Sequence, residues 1–195
     1  MIYTLDFRLI ITTSRKSSQI TRRFAQFLKH YFNATYITRG KTSFKKIQYQ
    51  SRIENHLLLV INQTKGNPSS IDVYDCNSSD DAIGSIYLTL SIPQENERIN
   101  VDSDSIMIIN KNDLIELPSQ LVTSYDVKER IKSNCIIIDD DIKNDSKACI
   151  SFIDKNSADT KYYVYINGYE FKWLSDNDGW KYFKGYWYNI SHWIW

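Results

Sequence analysis

The chain has 195 residues, 42% of them hydrophobic, and a formal net charge of +1. Such a length and apolar content support a folded core, as one domain or two small ones, and exclude a disordered chain. No apolar run reaches the ~18 residues of a transmembrane helix, and Asp6 and Arg8 interrupt the apolar N-terminus, which lacks signal-peptide form. The expectation is an intracellular, cytoplasmic protein. The three cysteines, Cys76, Cys135 and Cys149, have no metal-ligand spacing, which argues against zinc and against a disulfide framework.

In chain order, residues Phe7–Thr12 read as a strand. Ile20–Phe32 reads as an amphipathic helix, with Ile20, Phe24, Phe27, Leu28, Tyr31 and Phe32 on one face and Ser17 or Ser18 as its cap. Thr35–Thr38 is a short strand, Gly40 turns the chain, and Thr42 or Ser43 caps a second helix to about Ile53. The continuous apolar run Leu57–Ile61 predicts a strand buried on both faces. Lys65-Gly66-Asn67-Pro68 reads as a loop, followed by strands at Ile71–Tyr74 and Ile86–Ile92. Polar residues 93–105 suggest a linker. Beyond them come an apolar run at Ile106–Ile109, a helical stretch around Asp113–Lys132 and a strand at Cys135–Ile138. Strands at Ala148–Ile153, Tyr162–Ile166 and Tyr169–Leu174 follow, the last two joined through an Asn167-Gly168 hairpin signal.

Charge is unevenly spread. Residues 1–75 hold 12 Lys and Arg against 4 Asp and Glu, while residues 76–195 hold 12 against 19. The basic half is therefore a candidate polyanion-binding face. Its βαβαβ order, with right-handed crossovers, brings the loops after the first two strands to one end of a mixed sheet. Those loops carry Ser14-Arg15-Lys16 and Arg39-Gly40-Lys41. Arg22 and Arg23 stand in the first turns of the first helix, where unpaired N–H groups and the positive dipole end favour anions. Without a catalytic motif beside them, nucleic-acid phosphate is the expected anion.

Other constellations lead nowhere specific. Gly40-Lys41-Thr42 stands between a strand and a helix as a P-loop does, but Thr35 occupies the position of the required glycine. Asp139-Asp140-Asp141 could attract Mg²⁺, yet a calcium loop read from Asp139 has Asn144 for glycine and Ile150 for the bidentate glutamate. His30, His56 and His192 have no partners at motif spacing. All five Trp lie between Trp173 and Trp195. In an acidic half this aromatic tail is expected to cover a sheet, with Tyr163, Tyr165, Phe171 and Trp173 on one face. A protein-docking surface is the alternative.

Four segments, Thr13-Ser14-Arg15, Ser18 with Thr21-Arg22-Arg23-Phe24, Arg39-Gly40-Lys41 and Lys65-Gly66-Asn67-Pro68, occur in the order and at the spacing seen in the Brix-domain family. The chain resembles its short archaeal-type members over about residues 7–75. Two departures are Ser17, where the family often has proline, and Ile83-Gly84-Ser85, the nearest stretch to the Gly-Pro-Thr of eukaryotic members. The resemblance implies an α/β fold of mixed sheets with packed helices. Its two similar halves would each resemble the anticodon-binding domain of class II synthetases. It also implies a role in ribosome biogenesis through binding of ribosomal RNA, precursor or mature.

The resulting expectation is a single Brix domain over 1–195, with a basic half at about 1–92, a linker at about 93–105 and an acidic half at about 106–195. It is a non-enzymatic protein that needs no metal or cofactor. Arg15, Lys16, Arg22, Arg23, Arg39, Lys41 and Lys65 would hold phosphates, and Ser14 and Asn67 would add neutral hydrogen bonds. The expected partners are ribosomal RNA and ribosome assembly proteins, with no membrane. Alternatives are a tRNA-binding module of anticodon type, a protein scaffold using the aromatic tail and, third, an enzyme acting on RNA.

Overall fold

The structure, a computed structural model, describes residues 9–94, 98–101, 106–112, 134–140 and 145–171. The expected helix at Asp113–Lys132 and the tryptophan-rich tail lie outside these residues. Among the described residues, nine strands and two helices follow one another as β1 (Leu9–Thr13), α1 (Gln19–Tyr31), β2 (Thr35–Ile37), α2 (Phe44–Glu54), β3 (Leu57–Thr64), β4 (Asn67–Tyr74), β5 (Gly84–Ser91), β6 (Ile106–Asn110), β7 (Asn134–Asp139), β8 (Ala148–Ile153) and β9 (Asp159–Phe171). The strands form one mixed sheet in the order β2-β1-β3-β4-β5-β9-β8-β7-β6. It is mostly antiparallel: only β1/β2, β1/β3 and β6/β7 run parallel. The plural sheets of the sequence reading are thus a single one, closed across its middle by β5 and β9.

Right-handed crossovers explain the helices. The chain steps from β1 outward to β2, then back past β1 to β3, so α1 and α2 fall on opposite faces. Alternate residues confirm it. Leu9, Ile11, Leu59 and Ile61 pack with α1, whereas Ile10, Leu58 and Val60 pack with Ile47 of α2. Strand β1 is buried throughout.

Helix α1 also reaches the far half of the sheet. Its Phe27 ring stacks on Tyr162 of β9 at 3.8 Å and meets Phe152 of β8 edge-on at 5.0 Å. The Tyr31 hydroxyl lies 2.8 Å from the Cys135 carbonyl oxygen and 2.9 Å from that of Ile153. Strands β1 and β7 are six places apart in the sheet, roughly 29 Å if flat, against a helix only about 10–12 Å across. The sheet must therefore curl around α1. A fully apolar cavity of about 50 Å³ remains under the helix, lined in part by Leu28, Leu59, Leu88 and Phe152.

The strand senses of β1-β3-β4-β5 recur in β6-β7-β8-β9: a parallel pair, then two antiparallel steps. No sequence repeat announces this, because the two segments share pattern rather than residues.

Four local expectations need correction. Asn67 and Pro68 belong to β4, and the turn is the two-residue Lys65-Gly66, with φ of 52° and 87°. Two positive φ values give the primed turn that matches strand twist. Pro68 is tolerated because β4 pairs with β5 only from Ser70 onward, leaving its N–H side unclaimed. Asn167-Gly168 is not a hairpin but a bulge within the continuous β9. Tyr87 pairs with Gly168 and Leu88 with Ile166, which leaves Asn167 over. The bulge reverses the strand's phase. Tyr163 and Tyr165 thus face away from the α1 core, while Phe171 packs against it. One face for all these rings, as expected from their spacing, is not what forms. Finally, Ile20 is 38% exposed. Its place in the core is taken by Thr21.

Burial of Cys135 pushes its thiol up to about 12, with Lys111 opposing, and burial raises the Tyr31 hydroxyl well above its ordinary 10.0. Both groups stay protonated in the fold while the unfolded chain ionises, at about 8.5 for cysteine and 10 for tyrosine. Their contribution is complete below pH ~8.5 and is lost as pH rises. Cys135 alone should cost about 2 kcal/mol by pH 10. Denaturant midpoints measured from pH 8 to pH 10.5 should fall accordingly, and less steeply in Cys135→Ala. A flat profile would contradict the burial of both groups.

Candidate nucleic-acid interface

Strands β1, β2 and β3 run parallel, so their C-terminal ends lie at one end of the sheet, with β1 between its two neighbours. In such sheets the crevice beyond the strand ends, where the order reverses, is the natural ligand position. Three connections open there. Residues 14–18 leave β1, residues 38–43 leave β2, and Lys65-Gly66 leaves β3. Each carries cations, namely Arg15 and Lys16, Arg39 and Lys41, and Lys65. The N-termini of α1 and α2 start at the same end.

The first connection is held rigidly. The Ser18 hydroxyl caps α1 by accepting the Thr21 N–H at 3.1 Å. Gln63, at the bulged end of β3, accepts the Ser18 N–H at 2.7 Å and the Thr21 hydroxyl at 2.8 Å. Its amide nitrogen donates to the Lys16 carbonyl at 3.1 Å. Thr13 hydrogen-bonds Ser17 at 3.0 Å, and the Ser14 N–H donates to the Ile61 carbonyl at 3.1 Å. Proline at position 17 is therefore unnecessary for rigidity, since a hydrogen-bonded network fixes the turn. Gln63 is the residue that sequence reading missed. A lone glutamine after an apolar run carries no signal until β3 is placed beside α1.

The second connection turns at Gly40, whose φ is +42°, and closes with the Thr42 N–H on the Arg39 carbonyl at 2.6 Å. Ser43 caps α2, accepting the Lys46 N–H at 3.3 Å. The Arg39 guanidinium lies over the Phe44 ring, 5.1 Å from its centroid, and its buried Nε has no hydrogen-bond partner among the described residues.

The expected site residues divide into two groups. Arg15, Lys16, Lys41, Lys65 and Asn67 are exposed at this end, with Arg39 and Ser14 half-buried beside them. Arg22 and Arg23 are tied back. Arg22 donates to the Ser17 carbonyl, and Arg23 donates through Nη2 to the Pro93 carbonyl at 2.9 Å. Arg23 thus fastens α1 to the chain leaving β5. None of the ion pairs between described residues uses any of these seven cations.

The acidic end differs. Asp140 accepts the Asn112 amide at 2.8 Å, and the Asp139 carboxylate lies 3.9 Å from the Lys111 ammonium. Both carboxylates tie β6 to β7. No group of three His, Cys, Asp or Glu side chains suited to a metal occurs among the described residues. Nor is any helix among them long and apolar enough to cross a membrane.

No protein-family model matches the chain. It is similar to a protein of Methanococcoides burtonii described as a probable Brix domain-containing ribosomal biogenesis protein. The two are 32% identical over 133 residues, which span 68% of this chain and 83% of the relative. A protein of Archaeoglobus fulgidus with the same description is 36% identical over 66 residues, 34% of this chain and 40% of that one. Among solved structures, Mil, an archaeal Imp4-like protein, superposes with a TM-score of 0.64 at 20% identity, covering 84% of this chain and 99% of Mil. A probable ribosomal biogenesis protein from Aeropyrum pernix K1 gives a TM-score of 0.55 at 18% identity, covering 87% and 98%. At such identities the structures speak for the fold, and the Methanococcoides relative carries the family. The chain belongs to the Brix-domain family of ribosome biogenesis proteins.

Proposed function

We propose that this protein binds ribosomal RNA, precursor or mature, through the cationic end of its sheet and assists RNA folding or assembly without catalysing a reaction. The observation that carries this reading is the convergence of three cation-bearing connections at the ends of parallel strands, with no carboxylate paired to them among the described residues. Unpaired cations on a fixed scaffold are what a phosphate backbone needs. The orphaned Arg39 Nε adds a donor whose acceptor the described residues do not supply.

Arg15, Lys16, Arg39, Lys41 and Lys65 would hold phosphates directly. Ser14 and Asn67 would add neutral contacts. Arg22 and Arg23 hold the scaffold as well as adding positive potential. The repeat of strand senses supports one domain of two similar halves, about 1–92 and about 106–195, joined at about 93–105. A likeness of each half to the anticodon-binding domain of class II synthetases fits this reading and would give it an RNA-binding pedigree. Ribosome assembly proteins are the expected companions, in the cytoplasm.

Five phosphates neutralised give a log–log slope of binding against salt of about −3.5 on single strands and −4.5 on duplex. Titrations of the purified protein with a ribosomal RNA fragment between 50 and 300 mM salt should show it. A slope near zero would remove the electrostatic basis of the reading. Crosslinking in cells, followed by sequencing of the attached RNA, separates the alternatives: ribosomal fragments support the proposal, and tRNA or no RNA overturns it.

A further inference from the structure

Helix α2 starts at the cationic end and runs away from it along the face opposite α1. One side of it, with Ile47, Gln48 and Ser51, is buried against the sheet. Its outer side carries an unusual set. Tyr49 is 61% exposed and Ile53 is 65% exposed, the two largest exposures of big apolar side chains among the described residues. Lys45 stands one turn before Tyr49 at i−4, and Lys46 stands at i−3, both exposed. Lys41, four residues before Lys45, lies in the connection that leads into the helix. Side chains spaced by four in a helix lie above one another at about 5.4 Å per turn, so Lys45, Tyr49 and Ile53 form one row, with Lys41 in the connection ahead of it.

The charges around this row favour one class of partner. Neither Lys45 nor Lys46 has a carboxylate within ion-pair range among the described residues. The nearby acids are engaged elsewhere. Asp80 pairs with Arg52 at 2.7 Å, and Glu54 accepts the Gln50 amide at 2.8 Å. A protein-binding helix face would be expected to extend its apolar row, but here Tyr49 is flanked by ammonium groups on the side nearest the cationic end. An exposed tyrosine next to unpaired lysines matches the needs of an unpaired nucleotide, a ring for the base and cations for its phosphates.

Resting on the RNA-binding reading above, we infer that the outer face of α2 is a single-strand RNA subsite in which Tyr49 stacks an unpaired base and Lys45 and Lys46 hold the flanking phosphates. The subsite continues the cationic end of the sheet, so one strand leaving the crevice can follow the helix. It selects loops, bulges and ends over duplex, because a paired base has no face to offer the ring.

The test uses the full chain, a 12-nucleotide unstructured RNA and a duplex of equal length, with thermal melting as a control. Tyr49→Ala should weaken single-strand binding about 5- to 150-fold. It should leave the salt slope, duplex affinity and melting curve unchanged. Tyr49→Phe should bind as the wild type does. Lys45→Ala with Lys46→Ala should instead reduce the single-strand slope by about 1.4 in magnitude. Unchanged single-strand affinity in Tyr49→Ala, with the wild type still binding RNA, would overturn the subsite while leaving the broader reading intact. It would turn attention to a protein partner for the Tyr49–Ile53 row. Equal losses on single strand and duplex would also overturn it, as would loss in Tyr49→Phe. A wild-type protein that binds neither RNA would overturn both.

Discussion

Arg15→Glu combined with Arg39→Glu is expected to weaken binding to a ribosomal RNA fragment by at least about 100-fold. On the proposed interface each substitution removes one phosphate contact and places a like charge against the RNA backbone, and juxtaposed like charges cost several kcal/mol. At 1.4 kcal/mol per tenfold, two such changes exceed 100-fold readily. The two positions belong to different connections, so the pair tests convergence and not just a local patch. Arg15 is exposed, and Arg39 contributes one cation–π contact at 5.1 Å, so melting should change by only a few degrees. The control is Lys147→Glu with Lys155→Glu, which reverses two exposed cations in the acidic half. Filter binding at fixed salt should separate the two variants clearly. Equal losses would mean that net charge alone drives association and that the sheet end has no special role.

The largest effect on stability is expected at Phe27. Its ring is 4% exposed, stacks on Tyr162 at 3.8 Å and meets Phe152 at 5.0 Å, which makes it the α1 side chain with the most aromatic contact to the far half. Truncating a buried phenylalanine to alanine costs about 3–5 kcal/mol, since transfer free energy and a residual cavity add. Here Phe152, which the ring meets edge-on, already lines the apolar cavity under α1, so collapse is poor and the upper end applies. At roughly 2–4 °C per kcal/mol, melting should fall by about 10–20 °C. Tyr31→Phe is the companion. It keeps the ring but strips the hydroxyl from two carbonyl oxygens, the buried one of Cys135 and the half-buried one of Ile153, at about 1–3 kcal/mol. A Phe27→Ala protein melting within 2 °C of wild type would show that α1 does not hold the halves together.

Much of the basic half was legible because its rules are local. The turn and cap residues around Ser18, Gly40 and Ser43, and the apolar run of β3, each name their own structure, and crossover handedness then sets where the cations meet. Failures arose where a distant partner decides. Spacing alone favoured Ile20 for the core, but Gln63 on β3 accepts the Thr21 hydroxyl while the Ser18 hydroxyl accepts the Thr21 N–H, and seating Thr21 inward turns Ile20 outward. Asn167-Gly168 has the composition of a hairpin, but β5 pairs with β9 on both sides of Asn167 and carries the strand on through a bulge. The tie between Arg23 and the Pro93 carbonyl spans 70 residues, beyond the reach of any pattern in sequence. Lys45, Lys46 and Tyr49 stand out only once α2 is seated and its outer side is known.

The curl of the sheet around α1 has a consequence during synthesis. The helix and the strands that fix the cationic end are complete early, by about the close of β4, but the second acceptor of the Tyr31 hydroxyl lies 122 residues further along the chain. At ribosomal speeds of 5–20 residues per second, that carbonyl emerges about 6–24 s after the hydroxyl it meets. Throughout that interval Phe27 and Tyr31 form an apolar stripe with no far wall, on a nascent chain whose cationic end can already be formed. The newborn protein therefore passes through a stage in which the end proposed to hold RNA is complete while the apolar stripe still needs shielding from its neighbours.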